Sequence, residues 1–431
     1  MTQFEVGIGV RDITPEPGVP LWGYGDRTGP ATGKLDPLYA RAVTFRAGDV
    51  TACVVSLDLG RAPVEGSCAR IRERARRAGV QHVMLCATHT HHAPVMEFED
   101  LPHVAGIESA IGDAIEASVD ALRPACIGVG HAHVDIGHNR RVIGADGRCR
   151  MLWRNEDRRP TSPVDREATL IKLETTDGKP LAVLVHFACH PVVMGPSNLE
   201  YSADYVGELS RCVKEATGAE CVFIQGGSGD INPYLDKTSI QNGGVEAMRG
   251  VGREAAQSII AALPEIETSP PELPSIAFAE SSVHVGLRWD FSKPEVWGTF
   301  IGSHAWLRDL VKPYSRYLVP ELSVPVAALV LNGDVALLGV PGEFFVQYQL
   351  DLKATAPVRH ALLCGYTNQF HLYFPTMRGA VAGGYGGIVA SYVGFGAGDK
   401  VLLEGKQLLA ELMGATRVTC TSEDFELIEE Q

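Results

Sequence analysis

The chain has 431 residues, 45% of them hydrophobic, with 38 basic against 52 acidic side chains and a formal charge of −14. That length fits one large domain or two or three smaller ones, with enough apolar residues for a sizeable core. The acidic balance argues against nucleic acid or an anionic membrane as the main partner. No stretch of 18 apolar residues suggests a membrane span. The opening Met1-Thr2-Gln3-Phe4-Glu5-Val6 lacks the basic and apolar regions of a secretory signal. Ten cysteines, none in a CxxC pair, lie mostly inside apolar runs, as do Cys53, Cys86, Cys189 and Cys221. They read as reduced, buried thiols of a cytoplasmic protein, not as disulfides.

Along the chain one pattern recurs three times: a two-stranded ribbon, a helix, a strand and a polar loop. In the first unit Ala42–Arg46 and Thr51–Leu57 flank the turn Ala47-Gly48-Asp49. A basic helix near Val64–Ala78 stops at Gly79, and the strand Val83–Cys86 leads into Thr88-His89-Thr90-His91-His92-Ala93-Pro94. In the second, Thr169–Leu173 and Leu181–Phe187 flank Asp177-Gly178-Lys179-Pro180 and lead to Cys189-His190-Pro191. Tyr205, Val206, Leu209, Cys212, Val213 and Ala216 then have helical spacing, with Ser202 as cap and Gly218 as stop. The strand Cys221–Ile224 leads into Gly226-Gly227-Ser228-Gly229-Asp230-Ile231-Asn232-Pro233. Pro264–Pro274 reads as a surface connector and Ile276–Trp289 as strand. In the third unit Val326–Leu331 and Val335–Gly339 flank Asn332-Gly333-Asp334 and lead to Pro341-Gly342-Glu343. A helix near Phe344–Thr355 ends before Pro357, and the strand Ala361–Cys364 leads into a loop that runs to Tyr373. Gly379–Gly398 reads as loop and Val401–Met413 as helix. The expected fold class is α/β, with mixed β-sheets flanked by helices and the site where strand ends converge.

Imidazole nitrogens and a carboxylate oxygen are the ligand set of a catalytic zinc site that keeps one position open. His89, His190 and Glu343 stand where three strands end. Alternate residues of an extended segment point to opposite faces, so His89 and His91 reach one ion only if the loop bends. On that reading one binds metal and the other acts on substrate or carries a proton. Each candidate also has a plainer reading. His89 can be a loop histidine bonded to main chain, and His92 a structural one. His190 can be a buried imidazole on a carbonyl, and Glu343 a helix cap or a surface carboxylate. Gly226–Gly229 is neither a P-loop nor a dinucleotide fingerprint, since no Lys-Ser/Thr follows and Pro233 interrupts any helix. Its glycines fit close backbone approach near the site. Asp58, Asp204 and Asp230 read either as partners that orient a ligand histidine or as caps and turns. Asp58 or Asp230 can also extend the site to two metals.

These residues carry a resemblance. Gly7-Ile8-Gly9, Asp12-Ile13-Thr14-Pro15, Gly23-Tyr24, Thr88-His89-Thr90-His91, Asn139-Arg140, Phe187-Ala188-Cys189-His190-Pro191, Pro341-Gly342-Glu343-Phe344 and Asn368 to Tyr373 resemble motifs of the catalytic domain of neutral/alkaline non-lysosomal ceramidases. Those are zinc amidases that cleave an N-acyl bond. The resemblance implies one Zn2+ per chain held by His89, His190, Glu343 and Tyr373. It implies that His91 and Arg140 face substrate and that Tyr385 helps hold the scissile carbonyl. The chain departs from the family at Asn232, where the family has serine, and at Arg378-Gly379-Ala380, where it has Glu-Glu-Tyr. It ends at residue 431, with no room for the family's C-terminal β-sandwich. The expectation is therefore a single catalytic domain over residues 1–431. It is a zinc-dependent hydrolase acting on a linear amide of a small, soluble N-acyl substrate, with no stable membrane association and with homo-oligomers left open. The alternatives are a zinc esterase or lactonase, a true ceramidase, or a catalytically silent binding protein of the same fold.

Overall fold

The apolar runs are continuous because most strands are covered on both faces. In the computed structural model, which describes residues 2–290, 293, 295–296 and 319–416, the strand Val50–Leu57 is buried at every position after its first. Side-chain parity decides which layer each residue enters. Ala52 and Val54 face one core, whereas Cys53, Val55 and Leu57 face another. The same split separates Leu329 and Leu331 from Ala328 and Val330.

The shared core lies between two sheets. One has eight strands, in the order Glu220–Gln225, Pro180–Phe187, Glu167–Thr175, Arg123–His133, Phe4–Asp12, Tyr39–Ala47, Val50–Leu57, His82–Ala87. The other has four, in the order Ile276–Gly286, Glu321–Leu331, Val335–Gly339, His360–Cys364. Helices Glu65–Arg77 and Pro102–Asp120 cover one half of the large sheet's outer face, and Tyr205–Thr217 and Gly244–Ala262 the other half. Helices Val346–Thr355 and Ala397–Leu412 cover the small sheet.

The threefold pattern is visible in the strand pairing. In each unit the ribbon is antiparallel, and the strand after the helix pairs in parallel with the ribbon's second strand. A parallel neighbour requires a crossover, which the helix supplies. Within each unit the ribbon's second strand and the strand after the helix therefore end at the same edge. The first and second units run in opposite directions within the large sheet. Their loops meet through contacts such as Gln225 Nε2 to the Thr88 carbonyl, while Gly365 N to the Gln225 carbonyl brings in the third unit.

Several local expectations shift. Asp204, not Ser202, caps the helix Tyr205–Thr217, while Gly218 ends it at φ 72° as the left-handed stop. Residues 379–398 are not all loop: they contain the end of a short helix, Met377–Ala382, and a π-turn at Tyr385–Val389. The nine described cysteines are all free thiols, seven of them buried.

Gly7 and Gly9, two apart on one strand face, let the helix Pro102–Asp120 lie against the sheet backbone. A Cβ at Gly9 would sit 2.0 Å from the Ala114 carbonyl oxygen. Overpacking of this kind costs about 1–3 kcal/mol. Gly9→Ala should therefore lower the urea midpoint of unfolding, and lower the unfolding free energy extrapolated from it by an amount in that range. An unchanged midpoint would show that the helix moves away freely.

Candidate metal centre and substrate cavity

The loop after His82–Ala87 does bend. His89 has φ 72°, a conformation rare for residues other than glycine. The bend turns His89 and His91 toward each other, and their Nε2 atoms lie 3.4 Å apart. The strict alternation of an extended chain therefore fails here. His190 arrives from the loop after Pro180–Phe187, and its Nε2 lies 3.0 Å from Glu343 Oε2. Glu343 pairs in parallel register with Tyr373, so the two enter side by side. The same Glu343 oxygen is 3.6 Å from His89 Nε2.

Main-chain carbonyls decide which nitrogen of each ring is free. His89 Nδ1 donates to the Gly60 carbonyl at 2.6 Å, and His190 Nδ1 donates to the Ile231 carbonyl at 3.0 Å. Each ring's Nε2 is then a bare lone pair aimed at the centre. Burial, helped by the nearby Arg140 guanidinium, pushes His190 down to about 4, so it is neutral at physiological pH. Burial raises the Glu343 carboxyl, and the positive charge on His89 and His190 that would hold it well below the usual range is absent when both rings are neutral, so another cation must supply it. Two imidazole lone pairs and a carboxylate thus face one another. Such an arrangement is costly unless a cation lies between them. Ligands around a tetrahedral zinc stand about 3.3 Å apart, given bonds near 2.0 Å. The observed 3.0 and 3.6 Å bracket that spacing. The donor set therefore fits a small divalent metal, and His89, His91 and His190 form a cluster able to hold an ion.

His91 differs from the other two. It alone of the three lines the cavity described below. Its buried Nδ1 has no hydrogen-bond partner among the described residues, so no carbonyl fixes its tautomer. Burial, then the neighbouring His89 and His190, pushes its pKa well below the ordinary histidine value.

The remaining candidates take varied positions. Arg140 is buried and donates to Asn232 Oδ1, the Gly229 carbonyl and, at 2.9 Å, the Tyr373 hydroxyl. It is not among the residues lining the cavity and stands behind Tyr373. Tyr385 lines the cavity with its ring against Tyr373 and Trp153, each at 5.5 Å. Asp58 pairs with Arg41 at 2.7 Å, and Asp204 accepts from the Val193, Met194 and Tyr205 amides. Asp230 binds Asn139 and the Val346 amide. Among the described residues none of the three hydrogen-bonds or pairs with His89 or His190. His92 is structural, held between Arg27, Asn198 and the Met194 carbonyl.

The glycines of Gly226–Gly229 serve close approach: a Cβ at Gly229 would lie 2.4 Å from the Glu343 carbonyl oxygen. One residue without a sequence signal is Gln225. It is fully buried and binds Cys189 N, Cys189 O and the Thr88 carbonyl, tying the His190 loop to the His89 loop. Tyr366, also unmarked in sequence, stacks on His89 at 4.0 Å.

A cavity of about 860 Å3 opens onto the centre. Glu343, Tyr373, His91 and Tyr385 form its inner wall, and Leu21, Trp22, Val95, Phe98, Leu372 and Tyr392 give it a largely apolar lining. That size is in the range of small-molecule sites.

Two solved structures share the whole architecture. The neutral ceramidase from Pseudomonas aeruginosa matches at a TM-score of 0.75 and 17% identity, over 98% of this chain and 76% of that one. A ceramidase complexed with C2 matches at 0.74 and 17%, over 98% and 78%. At that identity the likeness speaks for the fold. The family model for neutral/alkaline non-lysosomal ceramidase, N-terminal, matches residues 4–255, which include His89, His91, Arg140 and His190. The match covers more than half of the sequence, and the chain belongs to the neutral/alkaline non-lysosomal ceramidase family.

Proposed function

We propose that this protein is a zinc-dependent amidase that hydrolyses the linear N-acyl bond of a small, soluble substrate. The observation that carries the proposal is the convergence of His89 Nε2, His190 Nε2 and Glu343 Oε2, with both ring tautomers fixed by carbonyls. Membership of the ceramidase family supports amide-bond hydrolysis. A bound zinc ion lowers the pKa of water to about 7 and polarises a carbonyl. His89, His190, Glu343 and Tyr373 are the ligands in this reading. Arg140 positions the Tyr373 hydroxyl through its 2.9 Å hydrogen bond. The Tyr385 hydroxyl donates to the substrate carbonyl oxygen as charge develops there. His91, free of any fixing carbonyl, takes up a proton and delivers it to the leaving nitrogen. The apolar cavity takes the acyl group. Free thiols suit a reducing compartment, and we assign the protein to the cytoplasm. Among the described residues no helix is long and apolar enough to cross a membrane.

The ligand set is tested by metal analysis. His190→Ala should lose most of its zinc, which is about one ion per chain in the unaltered protein, and nearly all activity. Full zinc retention would rule out the set, and a zinc-free unaltered protein would favour a silent binding protein.

His91→Ala and Tyr373→Phe separate ligand from proton carrier. His91→Ala should keep its metal and lose on the order of 10²–10⁴-fold in rate. Tyr373→Phe keeps the ring packing and should weaken metal binding or activity with little change in thermal midpoint. Metal loss in His91→Ala with normal turnover in Tyr373→Phe would make His91 the ligand and leave Tyr373 without a role in metal binding or turnover.

For the substrate, kcat/KM should be higher for short or polar N-acyl amines and amino acids than for long-chain ceramide. The formal charge of −14, which disfavours an anionic membrane surface, favours this order. Ceramide turning over faster than every soluble amide would make the protein a true ceramidase. Esters or lactones outpacing all amides would make it an esterase.

A further inference from the structure

The segment from Pro20 to Arg27 is laced to the histidine loop along its whole length. Trp22 N donates to the Ala93 carbonyl at 2.8 Å, and Val95 N to the Pro20 carbonyl at 3.0 Å. Leu21 and Pro94 form an isolated antiparallel bridge. Arg27 completes the seam with one guanidinium: Nη1 donates to the Trp22 carbonyl at 2.6 Å, and Nη2 to the His91 carbonyl at 2.6 Å. Its Nη2 also meets His92 Nδ1 at 2.9 Å, and Nε reaches the Asn198 carbonyl at 3.4 Å. A planar fork satisfies such divergent acceptors where an ammonium cannot.

The His91 ring lies in a slot built by this segment. Trp22 stands edge-on at 5.1 Å between ring centroids, and Tyr24 is tilted against it at 4.7 Å. Gly23 forms the floor. A Cβ there would lie 2.4 Å from His91 Cγ and 2.5 Å from Nδ1, and Gly23 has φ 99°, where side chains are strained. This slot matters because no side chain or carbonyl holds His91 by Nδ1. Apart from the 3.4 Å contact of its Nε2 with His89 Nε2, ring packing and the clamp on its carbonyl fix its rotamer.

We propose that Gly23 and Arg27 are positioning residues for His91, the slot and clamp together holding its imidazole at the cavity wall in the one orientation that serves the leaving nitrogen. The inference rests on His91 as the proton carrier. Misplacement by about 1 Å can cost on the order of 10²-fold in rate, so small shifts of this ring should be measurable.

The experiment compares zinc-loaded unaltered protein, His91→Ala, Gly23→Ala and Arg27→Lys on a series of short-chain (butanoyl) anilides whose para substituents vary the basicity of the leaving amine. Metal content and thermal midpoint are recorded for each. A well-placed acid makes kcat/KM nearly independent of leaving-group basicity, and its loss makes the dependence steep. Gly23→Ala and Arg27→Lys should keep zinc, lose roughly ten- to a hundredfold on the most basic leaving group, and steepen the dependence toward that of His91→Ala. A uniform drop across the series, with the slope unchanged, would make the segment merely structural and overturn the proposal. The two readings fail separately. If His91→Ala itself leaves the slope unchanged, the proton-carrier reading falls. If His91→Ala steepens it and neither loop variant does, that reading stands and the positioning role falls.

Discussion

Two backbone carbonyls, of Gly60 and Ile231, hold the centre in its chemical state. By accepting from Nδ1 of His89 and His190 they leave each Nε2 without a proton and aim it inward. An imidazole whose far nitrogen is bonded in this way is a fixed-tautomer ligand. Without those bonds, either ring could rotate or place a proton toward Glu343 and relieve the crowding of lone pairs. The loops around them serve this constraint. The glycines after Gln225 let the main chain pass the Glu343 backbone closely enough to present Ile231. The segment after Val50–Leu57 brings Gly60 alongside His89, whose amide also binds the Leu59 carbonyl.

Much of this was readable before any coordinates. Turn signals bounded the ribbons, helical spacing marked the crossovers, and together they define three units, each with a parallel pair of strands ending at the same edge. Hydrogen bonds between the loops, such as Gln225 to Thr88 and Gly365 to Gln225, bring the units' ends together, so polar residues just past strand ends gather whatever their separation in sequence. His89, His190 and Glu343 meet for this reason, and family motifs add Tyr373, Tyr385 and Arg140. Apolar runs marked the strands but not the layers. Only parity, seen in three dimensions, divides Ala52 and Val54 from Cys53 and Val55.

What stayed hidden has physical causes. The alternation rule separates His89 from His91 only in an extended chain, and a single positive φ at His89 cancels it. Nothing in residue type announces that bend. Arg140 carries the charge expected of a substrate contact, yet its donors are taken by Asn232, Gly229 and Tyr373. Asp58, Asp204 and Asp230 have the right chemistry for the centre, but each is engaged by an arginine, by main-chain amides or by an asparagine. The strand Arg123–His133, which with Phe4–Asp12 joins the first two units into one sheet, lies outside the repeated pattern and escapes a search for it.

Gln225 has a consequence beyond holding two loops. Its amide offers an acceptor and two donors, and main-chain groups of Cys189 and Thr88 occupy all three. It is a strut without ionic character, spanning the distance between the two histidine loops. Had an ion pair done this work, acid, alkali or salt could have loosened it. A carboxamide does not titrate and is scarcely screened. The spacing of the two loops should thus stay constant across the conditions under which the centre itself gains or loses protons, so that the frame stays still while the chemistry within it changes state.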